Sequence, residues 1–166
     1  MSAEDIERLV VERSLAREAF DDAQVAGFWA KAVASYRDAQ VPGISPDGGL
    51  QLAYTGGLQA TFAVLAAREL RVKSTASHYK AFYALQKLDE PRLRAHAVRF
   101  DELRATRHES IYEPEEDQAE IAVRLAAALA ALHEALPAIR AWLVGERPEL
   151  GGTLAPVGLP VRPPHV

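Results

Sequence analysis

Arg107 stands where a helix should be greasy. At 100° per residue, Leu93, Ala97, Phe100, Leu103, Arg107 and Ile111 fall on one stripe, and Arg107 is its only charged member. A guanidinium drawn out of water needs an anion or a pairing partner. His108 follows it directly, and Arg104 and Tyr112 lie a helical turn before and after His108, so these side chains can surround one small volume. An arginine fork suits phosphate oxygens, a histidine can move a proton, and a tyrosine can bond a phosphate or stack on a base. These are parts for cleaving RNA without a metal, with the ribose 2′-hydroxyl as nucleophile and the arginine on the crowded phosphorus. The catalytic set read this way is Arg107, His108 and Tyr112, with Arg104 and Arg99 holding substrate. The structural alternative pairs Arg107 with Glu113, Glu115 or Glu116 and lets His108 cap carbonyls at the helix end.

Composition bounds what can hold these residues. The chain has 166 residues, a net charge of −4 and no cysteine. That length suggests one domain, and the missing thiols exclude disulfides, thiolate zinc sites and cysteine nucleophiles. The net charge argues against a wholly nucleic-acid-coating surface but leaves room for a local basic groove. The acidic start Met1–Asp5 lacks an apolar signal core, and no uninterrupted apolar run approaches the ~20 residues of a membrane span. A cytoplasmic chain without membrane contact is expected. No histidine–carboxylate set has metal-ligand spacing, and Gly48-Gly49 and Gly56-Gly57 lack the strand and lysine of a phosphate loop, so neither metal nor cofactor is expected.

The periodicity is helical throughout. Ile6, Leu9, Val10, Arg13 and Phe20 fit a first helix, and Asp21 or Asp22 can cap a second with the stripe Val25, Phe28, Trp29, Ala32, Val33 and Tyr36. A breaker-rich loop over 41–49 precedes a third helix from about Leu50 to Leu70, where Gly56-Gly57 implies close approach of a neighbour. Ser74 or Thr75 can cap a short fourth helix carrying His78, Tyr79, Phe82 and Tyr83. Phe82 and the two tyrosines read as core before they read as a stacking platform. Pro91 opens the helix that carries Arg107 and ends near Tyr112. Pro114 with Glu115, Glu116 and Asp117 starts the last, whose stripe runs from Ile121 to Leu143 and which Pro137 can kink. His96 reads as a satisfied core histidine and His133 as exposed, and the spacing from Arg71 to His78 is discounted because Arg71 falls in a loop. The expected architecture is all-α, an up-and-down bundle of about five or six helices over 1–144, with a Pro/Gly-rich flexible tail over 145–166.

The segment around Arg107 resembles the signature helix of the HEPN superfamily: an arginine, then a polar residue, then a histidine some four to six positions beyond the arginine. Arg107 and His108 match the first two, and Tyr112 stands where the histidine would be. Ala53-Tyr54 with Leu58, Ala60 and Leu65, then Arg71-Val72-Lys73-Ser74 and His78, resemble the superfamily's central helices, so the likeness covers roughly residues 5 to 140. It implies a homodimer with paired arginine helices at a shared cleft, RNA or nucleotide binding, and in toxin or phage-defence members metal-independent RNA cleavage. A phenol is a poor base at neutral pH, so weak or absent cleavage is expected here. The rival expectations are a non-catalytic partner of a protein, such as an antitoxin or a minimal nucleotidyltransferase, and a DNA-associated helical dimer.

Overall fold

The computed structural model describes residues 2–74, 78–112 and 117–158, and the side chains of all of these except residues 2 and 108–112. The protein is an all-α helical bundle. Its elements are α1 (Ser2–Val11), β1 (Leu15–Arg17), α2 (Asp22–Asp38), α3 (Pro46–Ala67), β2 (Leu70–Val72), α4 (His78–Lys87), α5 (Pro91–Tyr112), α6 (Gln118–Glu146) and a 3₁₀ turn, Pro148–Gly152.

The first helix stops well short of Phe20. Arg13 adopts φ 61°, its N–H bonds Val10 O, and Ser14 N–H reaches back to Leu9 O at 2.9 Å. This is a Schellman ending with a non-glycine residue in the left-handed position. It turns the chain into β1, which pairs antiparallel with β2 in the register Leu15↔Val72, Ala16↔Arg71, Arg17↔Leu70. The ribbon replaces the helix expected at Phe20 and takes Arg71 out of a loop. Asp21 caps α2 in a full capping box with Gln24.

The third helix also begins earlier than the glycines suggest. Ser45 caps it, Pro46 opens it, and Gly48-Gly49 lie inside its first turns. Gly49 leaves room for Leu125, whose Cδ2 would be 2.6 Å from an added Cβ. Buried along most of its length, α3 packs against α2, α4, α5 and α6. Its Gly56-Gly57 pair sets the approach as expected: an added Cβ would lie 3.4 Å from Ala32 O of α2 at Gly56, and 3.2 Å from Phe100 of α5 at Gly57.

The helix start expected at Pro114 falls outside the described residues, and Asp117 caps α6. This helix continues through Pro137 and buries Ile121, Ala128, Leu132, Leu136, Ile139 and Leu143. By length and composition alone it is apolar enough to cross a membrane, which exceeds the expectation from uninterrupted apolar runs. The boundary expected at 145 does not separate bundle from tail. Leu150 and Leu154 are buried, the Trp29 indole N–H donates to Ala155 O at 2.7 Å, and Arg37 donates to Pro156 O at 2.9 Å. Arg147 fastens the same stretch, donating to Phe20 O and Asp22 as well as to the carbonyls of Ala66 and Ala67 at the end of α3.

Candidate functional site

The stripe on α5 is buried as its spacing demands: Leu93, Ala97, Phe100 and Leu103 lie in the core. Arg107 comes next on that line and is half-buried. Its Nε donates to Gln51 Oε1 of α3, and its guanidinium carbon sits 4.6 Å from the centre of the Tyr54 ring. Among the described residues no carboxylate pairs with it. Among the described residues the cation is held by a ring face and a neutral amide, neither of which carries a compensating charge, and Glu113, Glu115 and Glu116 lie outside the described residues.

Tyr54 is buried, and its hydroxyl shares a hydrogen bond with Nδ1 of His78, the first residue of α4. Their ring centres are 5.7 Å apart. Burial holds the His78 pKa below its ordinary value, and Arg107 pushes it the same way, so both favour the neutral ring. Burial raises the Tyr54 pKa, against a partial pull downward from Arg107 and Arg104. With its proton on Nδ1, the imidazole donates to Tyr54 and keeps a base at Nε2. In the other tautomer Tyr54 donates to Nδ1 and Nε2–H is a donor.

Arg104 is near but differently engaged. Its Nε is 2.7 Å from Asp101, and its guanidinium lies 5.5 Å from the centre of the Tyr79 ring. Arg99 faces the other way and pairs with Glu134 of α6 across a groove of about 430 Å³. The structure therefore brings Arg104 and Arg107 to one side of α5 and leaves Arg99 on another. His108 and Tyr112 lie on the last turns of α5, and their side chains are outside the described residues.

The residues that sequence reading did not assign to the site are Gln51, Tyr54 and His78. The relevant signal was present, since Gln51 and Tyr54 are three apart on α3 and share a face, but nothing in the pattern tied that face to Arg107. Arg71 is occupied elsewhere, with Glu18 at 2.8 Å and the Phe20 ring at 4.9 Å, so its spacing to His78 carries no pairing. His133 is exposed. His96 departs from expectation: its Nδ1 is buried with no hydrogen-bond partner among the described residues, and burial lowers its pKa, with Arg99 adding to that and Glu134 opposing. Among the described residues no group of histidines and carboxylates could hold a metal ion.

Compared with known protein families, with curated proteins and with solved structures, the chain matches none.

Proposed function

We propose that this chain is a HEPN-like RNA- or nucleotide-binding bundle that takes a phosphate at Arg107. One observation carries the reading: a half-buried guanidinium rests on Tyr54 beside a neutral His78, with no carboxylate partner among the described residues. A phosphate would supply the missing charge and accept from the fork that a lysine cannot present. If the strand is cut, the His78 imidazole takes the proton of a 2′-hydroxyl and the 2′-oxygen bonds to phosphorus. The bond to the 5′-oxygen breaks, and that oxygen leaves with a proton from water or the imidazolium. Arg107 stabilises the charge on phosphorus. Neutral His78 thus provides the base that Tyr112 could not.

Fluorescence anisotropy with a 5′-labelled single-stranded RNA tests the binding. Arg107→Ala should weaken it about ten-fold or more, consistent with loss of a charge-assisted pair, and Arg107→Lys should restore only part. Unchanged affinity in Arg107→Ala would end this reading. A cleavage assay with chelator present, scored for 2′,3′-cyclic phosphate ends, tests the chemistry separately. Tighter binding to duplex DNA than to single-stranded RNA at the same salt concentration would favour the DNA-associated alternative.

A second reading draws on α6. Val123 is 70% exposed, and Ala122, Ala126, Ala127 and Ala130 are exposed with it. Such a face suits a protein partner, either a second copy in a homodimer or a cognate protein such as an antitoxin or nucleotidyltransferase. Light scattering of the purified chain and of Val123→Glu tests it: a dimer that falls to monomer in the variant supports self-association through this face.

A further inference from the structure

We infer that the groove between α1 and α4 is a nucleobase subsite adjoining the phosphate position at Arg107. The inference rests on the reading of Arg107 given above and names the part of the ligand that lies next to that phosphate.

The fourth helix sorts its aromatic residues by face. Phe82 points inward and is fully buried, whereas Tyr79 is 41% exposed and Tyr83 is half-buried. The two tyrosine rings sit one turn apart, 5.9 Å between centres and tilted by 33°. They wall a groove of about 210 Å³ whose other side is α1, with Asp5, Arg8, Leu9 and Glu12. That volume is below the range of pockets for larger ligands and suits a single ring system. A base can lay its face on a tyrosine ring whatever its identity, and its edge then meets the carboxylates and cations of the groove.

The electrostatics divide the labour. In the groove, Lys80 lies 3.5 Å from Glu12, and Arg8 pairs with Asp5 at 2.5 Å. Charge there is largely balanced, which fits a neutral ring better than a phosphate. Arg107, by contrast, has no carboxylate partner among the described residues. Tyr79 links the two places: it follows His78 in the chain, and Arg104, a turn before Arg107 on α5, lies over its ring. A sugar-phosphate unit bound at Arg107 would thus have a stacking surface next to it.

Calorimetric titration with adenosine 5′-monophosphate and with ribose 5-phosphate separates base from phosphate. The unaltered chain should prefer the nucleotide by about five-fold or more, as expected for one stacked base. Tyr79→Ala should remove that preference without changing ribose 5-phosphate binding, and Tyr79→Phe should keep it. Arg107→Ala should weaken both ligands alike. Equal binding of the two ligands by the unaltered chain overturns the inference. So does a preference that survives Tyr79→Ala, or a Tyr79→Ala loss shared equally by ribose 5-phosphate. If Arg107→Ala changes neither ligand while Tyr79→Ala abolishes the preference, the base subsite stands and the phosphate assignment falls. If neither ligand binds, both fall.

Discussion

Arg107, Tyr54 and His78 form a chain of contacts in which each member sets the state of the next. The guanidinium over the ring face disfavours a second positive charge at His78, and the tyrosine hydroxyl fixes the imidazole. The lowered His78 pKa means that the unfolded chain takes up a proton more readily than the folded one. Stability is then fully present above the ordinary histidine pKa of about 6.5 and declines as pH falls through it. His96, whose pKa is also lowered, has the same sign. The melting temperature should therefore drop between pH 7.5 and 5.5, and His78→Gln with His96→Gln should flatten that slope. An equally steep slope in the double variant would place the pH sensitivity elsewhere. The stripe that singled out Arg107 could be read from sequence because helical period is local. Its partners could not, because Gln51 is 56 residues away and meets Arg107 only once three helices have packed.

Helices and turns respond to one substitution in opposite ways according to what they touch. Gly27 lies on α2 with no other group within 4 Å of an added Cβ, whereas Gly57 has the Phe100 ring at 3.2 Å. Gly27→Ala should stabilise by roughly 0.5–1 kcal/mol through helix propensity. Gly57→Ala makes the same gain but loses about 1–3 kcal/mol to overpacking, so a net destabilisation is expected. Paired urea melts of the two variants check both signs. At the end of α1, Arg13 holds φ 61°, a conformation that suits glycine. Arg13→Gly should be stabilising by about 0.5 kcal/mol, net of the greater freedom glycine has when unfolded. The Gly56-Gly57 contact was legible because paired glycines within a helix imply a close neighbour. The start of α3 was not, since Gly48-Gly49 look like breakers until Leu125 is seen beside Gly49. The β1–β2 ribbon was also hidden, because strands of three residues are too short to show an alternation.

For the molecule as a whole, the all-α bundle could be read from period and capping residues. The place of its C-terminal stretch could not: proline and glycine there suggested a tail, but Leu150, Leu154 and Arg147 bind it to the body. The Arg147 side chain is 18% exposed and its guanidinium reaches the start of α2 and the end of α3. Arg147→Ala should cost about 2–3 kcal/mol, the scale of charged hydrogen bonds lost from a partly buried place. Chemical denaturation should show this as a lower midpoint with an unchanged slope. A shift within 0.5 kcal/mol would make the arginine an ornament of an already stable seam.

The bond from Trp29 to Ala155 also orders events in time. An indole donor waits for an acceptor that is synthesised 126 residues after it. While the ribosome is still adding the final helix, α2 and α3 can pair as a hairpin, but the pocket around Trp29 stays open at one side. That stitch comes only once Ala155 has emerged, so a translation pause ahead of it would hold the nascent chain unsealed at this tryptophan.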